Sequence, residues 1–151
     1  MIIRNATVKW ASILQPNTRF TPRWEVNVYP SEVDLKGLEA AGVAIKEDKE
    51  SGEMYIKPTR KTQKQDGTPL SPPVVVDGQK QPWPENKLIG NGSVCNVIVA
   101  LKEVNNFGTP GVKAYLNKVQ VVHHIPYTGD EDFDVVDDPE AQAEAGEEED
   151  F

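Results

Sequence analysis

A run of basic side chains without a nearby acid is the clearest chemical feature of the sequence. Residues 57–64 read KPTRKTQK and contain Lys57, Arg60, Lys61 and Lys64 but no Asp or Glu. Ammonium and guanidinium groups bind phosphate oxygens, and each phosphate they neutralise makes the binding more salt-dependent. The alternative is a solvated basic loop without a ligand, and the sequence leaves that alternative open.

Aromatic side chains near such cations could supply the second half of a nucleic-acid site. Every base offers a π-face, so stacking on an exposed ring tolerates any sequence. Tyr115 follows Lys113 on an alternating stretch, although a half-buried residue of the core would show the same pattern. The three tryptophans are instead expected in the core or in packing. The predicted nucleic-acid-binding residues are Lys9, Tyr55, Lys57, Arg60, Lys61, Lys64, Lys102, Phe107, Lys113 and Tyr115.

The sequence offers no catalytic or metal-binding constellation. The single Cys95 lies among valines and is expected as a small core residue. His123 and His124 are adjacent, so on a strand their side chains face opposite ways and cannot share a metal. The GNG at residues 90–92 precedes a strand and not a helix, which disfavours a dinucleotide site. Neither an enzyme nor a cofactor is therefore expected.

Charge divides the chain into two parts. Residues 130–151 contain 12 of the 24 acids and none of the 16 bases, so they carry −12. Residues 1–129 hold the other 12 acids and all 16 bases, so they carry +4. The sequence therefore predicts one folded, mildly basic domain over 1–129 and a disordered acidic tail over 130–151 that ends in Phe151.

The strongest structural signal is a β-hairpin. Two valine-rich runs, Ser93–Val104 and Val112–Val122, flank the turn sequence NNFGTPG. The first run is apolar on both faces, which is typical of a strand at the centre of a small sheet or barrel. In the second run the apolar positions change parity. A bulge near Asn117–Lys118 is one interpretation, and a simple two-sided buried strand is the other.

Further strands are predicted on both sides of a polar turn. One strand covers Ile2–Leu14, with Trp10 on its apolar face, and a second covers Arg23–Pro30 with clean alternation. A short strand is expected at Glu53–Lys57. Residues 58–84 are rich in proline, so they are expected to cover the barrel without forming its core, with an edge strand at Pro72–Asp77.

The one good helix is predicted over Ser31–Ala41. Ser31 is the expected N-cap, and Asp34 three residues later is expected to close a capping box. Leu38 should face the core, and Gly42 should end the helix.

Together these elements predict an all-β protein with one short helix. Five or six antiparallel strands suit an OB-fold-like barrel, a fold that commonly binds oligonucleotides, and a sandwich is the runner-up. No apolar run is long enough to span a membrane, and the N-terminus lacks the apolar segment of a signal peptide. An intracellular protein that does not contact a membrane is expected.

Part of the sequence resembles the phage single-stranded DNA-binding proteins of the phage T7 type. The stretch that carries the resemblance reads VVVDGQKQPWPENKLIGNGSVCNVIVALKEVNNFGTPGVKAYLNKVQVV. It contains a VVVD strand, a short Gly/Lys loop, an I-G-x-G turn and two long strands in the order typical of that family. The ending EEEDF is similar to the family's acidic C-terminus with a terminal Phe. One departure is that the usual OB-fold helix lies between strands three and four, whereas here it follows the second run.

The resemblance implies sequence-independent binding of single-stranded DNA during phage replication, recombination and repair, in the cytoplasm of the infected bacterial host. It also implies that the tail recruits DNA polymerase and helicase–primase. The residues assigned to that contact are Glu147, Glu148, Glu149, Asp150 and Phe151. The tail could reach a neighbour's groove, which favours a homodimer without DNA. The alternative is an acidic interaction module that mimics nucleic acid and does not itself bind DNA.

Overall fold

The computed structural model describes residues 1–19, 21–106 and 108–127. The predicted tail over 130–151, with its Phe151, lies outside these residues, and so does Phe107. No described helix is long and apolar enough to cross a membrane. The elements are β1 (Ile2–Asn17), β2 (Arg23–Tyr29), α1 (Glu32–Ala40), β3 (Lys46–Glu47), β4 (Met54–Tyr55), β5 (Thr59–Lys61), β6 (Val74–Val76), β7 (Ser93–Asn106) and β8 (Thr109–His123).

Five of the strands close into a barrel. The sheet order is β5-β2-β1-β7-β8-β6, and β5 also pairs with β8. The closing contact is parallel and joins Thr59 to Tyr115, whereas the other barrel pairs are antiparallel. This is the connectivity of an OB-fold, so the predicted fold class is confirmed. The helix lies between the second and third barrel strands, β2 and β5.

The proline-rich stretch contributes more than the sequence predicted. Residues Thr59–Lys61 form the strand that closes the barrel, and Pro58 and Val76 are buried. The expectation that residues 58–84 only cover the barrel was therefore wrong. A three-residue strand is too short to display a period of two, so its pattern is not detectable in the sequence. The edge strand was predicted correctly, since Val74–Val76 pairs in parallel with the second half of β8.

The long hairpin forms as predicted, with a shorter turn. The pairing of β7 with β8 extends to Asn106 and Thr109, so the strands reach well into the NNFGTPG sequence. The register shifts between the pairs Ile98–Lys118 and Val99–Leu116, which leaves Asn117 as an extra residue and confirms the predicted bulge. On the side of β8 away from β7, Tyr115 pairs with β5 and Lys118 pairs with β6. The bulge at Asn117 lies between these two pairings.

The faces of β1 differ from the prediction. The register against β2 shifts between Lys9 and Ser12, so the alternation changes phase. As a result Ile13 is buried, Leu14 is only partly buried, and Trp10 is 54% exposed. Trp10 was expected in the core, and that expectation was wrong. A one-residue shift moves every following side chain to the other face.

The helix begins where its cap was predicted. The Ser31 side chain accepts a hydrogen bond from the Asp34 backbone N–H at 3.3 Å. The Asp34 carboxylate accepts instead from the backbone N–H of Arg4, so the predicted capping box is replaced by a tie to β1. Leu38 is fully buried and anchors the helix on the barrel, which contributes about 1.5–3 kcal/mol.

Candidate nucleic-acid interface

One rung of paired residues crosses the barrel on the side that faces away from the core, which we call the outer face. Ser12 pairs with Glu25, Glu25 with Thr59, Thr59 with Tyr115 and Tyr115 with Ala100. Most of their neighbours along the strands, including Trp24 and Ala114, are core residues. Adjacent strands lie about 4.8 Å apart, so this rung spans roughly 19 Å.

Basic residues flank the rung on neighbouring strands. Arg23 pairs with Lys61 across β2 and β5, and Lys102 pairs with Lys113 across β7 and β8. Each of the four lies two residues from a member of the rung, so its side chain is also on the outer face. Barrel closure therefore places Arg23, Lys61 and the Lys102–Lys113 pair, from three separate parts of the sequence, on one surface.

Tyr115 lies beside two of these cations. Its ring centroid is 5.6 Å from Lys102 Nζ and 5.3 Å from Lys113 Nζ, and the side chain is half-buried. Both distances are within the range of a cation–π attraction. The arrangement offers a ring on which a base can stack and two ammonium groups beside it for the adjacent phosphates.

The cations around Lys113 repel one another. Burial lowers the pKa of Lys113 below its ordinary 10.5, and the positive charges of Lys61 and Arg23 lower it further. A phosphate placed among these groups would relieve the repulsion, so the electrostatics favour an anionic ligand at this point.

A buried carboxylate separates this cluster from the rest of the outer face. Glu25 is 7% exposed and binds Arg23 Nε through Oε1 at 2.6 Å. Its Oε2 accepts a hydrogen bond from Asn17 Nδ2 at 3.1 Å and lies 4.0 Å from Lys57 Nζ. Glu25 therefore partly neutralises the charges of Arg23 and Lys57.

A second group of aromatic and charged residues lies further along the outer face of β1 and β2. The Tyr29 hydroxyl donates to Asp48 Oδ2 at 2.8 Å, and Lys9 Nζ lies 3.7 Å from the same oxygen. Lys9 Nζ also lies 4.8 Å from the Tyr29 ring centroid. The ring centroids of Tyr29 and Tyr55 are 5.2 Å apart.

The protonation of this second group is fixed by its hydrogen bonds. Burial and the Asp48 carboxylate raise the pKa of Tyr29 above its ordinary value, so the phenol stays neutral. The hydrogen bond from Tyr29 lowers the pKa of Asp48, so the carboxylate stays ionised. Asp48 thus competes with any phosphate for Lys9.

The fold is shared with known proteins. No protein-family model and no curated protein sequence matches the chain. A single-stranded DNA-binding protein encoded by bacteriophage T7 matches with a TM-score of 0.60 and 19% sequence identity, over 89% of this chain and 97% of that one. The single-stranded DNA-binding protein from bacteriophage Enc34 in complex with ssDNA matches with a TM-score of 0.62 and 12% identity, over 85% and 88% of the two chains. This chain has the fold of phage single-stranded DNA-binding proteins.

A further structure of the Enc34 protein matches with the same TM-score, 13% identity and 90% coverage of this chain. The resemblance inferred from the sequence is therefore confirmed at the level of the fold. Most of the predicted binding residues also meet on one surface. Those on the outer face are Lys9, Tyr55, Lys57, Lys61, Lys102, Lys113 and Tyr115.

Arg60 lies apart from that surface. Its strand partner is the core residue Trp24, so Arg60 belongs to the opposite face from Lys61. Its guanidinium donates to the Ser71 carbonyl at 2.7 Å and to the Leu116 carbonyl at 3.3 Å. These bonds tie the proline-rich segment to β8, which is a structural role.

The remaining predicted residues are placed as follows. Lys64 is exposed in the turn after β5, where its backbone bonds Gly67 and Thr68. Phe107 and Glu147–Phe151 lie outside the described residues. Cys95 is fully buried, and burial raises the pKa of its thiol to about 12, so it is the inert core residue that was expected.

Sequence reasoning missed two residues of the outer face and one at its border. Arg23 and Tyr29 have the outward parity of β2, and that parity was visible in the sequence. Trp10 had no such signal, because the bulge that exposes it is not encoded by a Gly or a Pro.

Proposed function

We propose that this protein binds single-stranded DNA without sequence preference, through the outer face of β2, β5, β7 and β8. The observation that carries the proposal is the Tyr115 ring, whose centroid lies within 5.6 Å of both Lys102 Nζ and Lys113 Nζ. Lys61 and Arg23 add positive charge at the same place. A ring for a base and ammonium groups for the adjacent phosphates are what binding of an unpaired strand needs.

The preference for single strands follows from the chemistry. In a duplex the faces of the bases are stacked on one another, so a tyrosine ring can reach them only in an unpaired strand. Each base–aromatic stack is worth about 1–3 kcal/mol and is nearly independent of base identity. Contacts to phosphates carry no sequence information directly. The function is binding, without catalysis or a cofactor.

The protein acts in two parts. Residues 1–129 form the binding domain, and residues 130–151 form a tail of net charge −12 that competes with DNA for the basic outer face. A short tether gives an effective concentration on the order of millimolar, so even weak charge pairing is felt. DNA has a denser charge and offers bases to stack on, so it displaces the tail.

The displaced tail recruits other proteins. Glu147–Asp150 supply charge for a basic patch on a partner, and Phe151 supplies an apolar anchor that charge alone lacks. By resemblance the partners are a phage DNA polymerase and a helicase–primase, and the protein serves phage DNA replication, recombination and repair in the cytoplasm of the infected host. Without DNA the tail of one copy binds the face of another, which gives a homodimer. The fold neighbours named as phage single-stranded DNA-binding proteins support the DNA-binding part of this proposal.

The test is a titration with an oligothymidine and with a duplex of matched length, at two salt concentrations. The expected result is much tighter binding of the single strand and a loss of affinity as salt rises. Replacing Tyr115 by Leu, which keeps an apolar side chain without a π-face, should weaken binding about 5- to 150-fold. Equal affinity for duplex and single strand would contradict the proposal. No binding of either would favour the acidic interaction module instead.

A further inference from the structure

Two of the three register shifts along β1 are bulges of the same construction. The register shifts between Ile3 and Ala6 against β7, and between Lys9 and Ser12 against β2. Each bulge contains one non-glycine residue at positive φ, Asn5 at 51° and Trp10 at 53°. The two bulges therefore make the same conformational demand on two different residue types.

A neighbouring asparagine holds the backbone at both bulges. The Asn96 Oδ1 accepts from the Asn5 N–H at 2.9 Å, and the Asn91 Oδ1 accepts from the Trp10 N–H at 2.7 Å. Asn is a residue that enters the left-handed region readily, whereas a bulky aromatic there is an outlier. The backbone conformation thus accounts for Asn5 and disfavours Trp10.

Packing does not account for Trp10 either. The residue is 54% exposed, whereas Trp24 is 8% exposed within the core. A large apolar ring that stays more than half exposed, on a backbone that disfavours it, gains little from the isolated fold. Residues in sparsely populated backbone regions cluster at ligand-binding sites, and bulges next to such sites re-aim side chains.

The position of Trp10 connects it with the proposed binding surface. It lies between Lys9 and Ser12, which pair with Asn27 and Glu25 on the outer face of β2. Along the barrel wall through β2 and β5, β1 is three strand spacings from β8, a path of roughly 14 Å. Lys9 of the second group immediately precedes Trp10 in the chain.

We propose that Trp10 is a base-stacking residue at the β1 border of the single-stranded DNA path. The inference rests on the proposed function and extends it. The DNA strand crosses the barrel from Tyr115 over β5 and β2, and one of its bases stacks on the indole of Trp10. The bulge and Asn91 hold that indole outward. Trp is enriched at protein–protein hot spots too, so a protein partner is the competing explanation that the test must separate.

The test compares Trp10→Asn and Trp10→Phe with Trp83→Phe as the matched control. The Trp83 ring centroid lies 5.0 Å from that of His124, and its Nε1 donates to the Lys87 carbonyl at 2.8 Å. The ligand is an oligothymidine longer than about 16 nucleotides, which exceeds the site of one OB-fold. Trp10→Asn should weaken binding about 5- to 150-fold, the value of one lost stack. DNA that stacks on Trp10 should quench the tryptophan fluorescence of the protein. Trp10→Phe should keep most of the affinity and lose most of this quenching, whereas Trp83→Phe should change neither the affinity nor the quenching.

Two further measurements exclude a merely structural effect. Asn suits the left-handed backbone, so Trp10→Asn should unfold at the same or a higher denaturant concentration than the unaltered protein. An abasic strand keeps the phosphates without the bases, so it should bind the unaltered protein and Trp10→Asn equally. Oligothymidine affinity of Trp10→Asn within twofold of the unaltered protein would overturn the role of Trp10 in stacking and leave the proposed function standing. Failure of the unaltered protein to bind oligothymidine would remove the proposed function itself.

Discussion

Two groups on the outer face contain similar residues in opposite electrostatic settings. In the paired end (Lys9, Tyr29, Asp48 and Tyr55), the lysine lies 3.7 Å from a carboxylate that also accepts from a tyrosine. In the lysine end (Lys61, Lys102, Lys113 and Tyr115), no carboxylate of the described residues lies within 4.0 Å of a lysine Nζ. Glu25 stands between the two groups and binds Arg23 and Lys57.

The difference separates stability from binding. A partly exposed ion pair such as Lys9–Asp48 contributes only about 0–1 kcal/mol to folding, and it weakens the attraction of Lys9 for a phosphate. The lysine end does the reverse, because its cations repel one another in the free protein and are relieved when an anion binds. A surface that must bind DNA is therefore expected to keep its charges uncompensated at the cost of some stability.

The largest expected effect comes from removing the lysine end. Replacing Lys61 and Lys113 by Ala removes two phosphate contacts, so the log–log salt slope of binding should flatten by about 1.4 units. At about 0.1 M salt the affinity for oligothymidine should fall roughly 10- to 100-fold. Titrations at several salt concentrations measure both quantities. Replacing Lys36 and Lys80, which lie on α1 and in a loop, should leave the slope unchanged.

Arg60 provides a sharper control, because it is adjacent to Lys61 and lies on the other face. Arg60→Ala removes hydrogen bonds to the carbonyls of Ser71 and Leu116. It should destabilise the barrel by about 1–3 kcal/mol and leave the salt slope intact. A flattened slope with unchanged stability would mean that Arg60 binds phosphate and that our division of the two faces is wrong.

The next effect concerns the acidic tail. Removing residues 130–151 should tighten binding of oligothymidine about two- to tenfold at low salt, because it removes a tethered competitor. The gain should shrink as salt rises, since the competition is electrostatic. It should also vanish in the Lys61/Lys113 double variant if the tail uses the lysine end. A truncated protein that binds no more tightly than the full chain at low salt would rule out the competition. Phe151→Ala should spare DNA affinity and weaken binding of the polymerase.

Neutralising Asp48 should convert the paired end into a second lysine end. Asp48→Asn keeps a group that can accept from Tyr29 and frees Lys9 from its carboxylate. The affinity for oligothymidine should rise about two- to fivefold, with a salt slope steeper by up to about 0.7 units. Glu50→Gln, in the exposed turn nearby, is the matched control. An unaltered slope in Asp48→Asn would mean that Lys9 does not contact the strand.

The smallest effect is a pH dependence from Lys113. Burial and neighbouring cations lower its pKa in the free protein, and a bound phosphate should raise it again. The complex then holds a proton that the free protein has lost, so binding takes up a proton and weakens as pH rises through the lowered pKa of Lys113. The change should be about two- to threefold, below the limit of tenfold per pH unit for one proton. Lys113→Arg keeps the charge at every pH tested and should remove the dependence.

The sequence alone predicted the elements whose signals are local. The valine-rich runs predicted the hairpin, the change of parity indicated a bulge near Asn117–Lys118 as one of two interpretations, and Ser31 predicted the start of the helix. Alternation along a strand and capping both act within a few residues, so they are visible without a fold. Most of the predicted binding residues also lie on the outer face, and they were predicted because uncompensated cations near aromatic residues are a compositional signal.

Tertiary structure alone decided which of those residues act together. Barrel closure through Thr59 and Tyr115 depends on β5, a strand too short to show a period of two in the sequence. Because these residues form a strand, Arg60 and Lys61 lie on opposite faces. The pairing of Lys9 with Asp48 joins residues far apart in sequence, and no local pattern encodes it. Trp10 was assigned to the core by an alternation that one extra residue reverses. Sequence patterns thus determine which side chains of a strand share a face, whereas register and barrel closure determine which residues of other strands each side chain contacts.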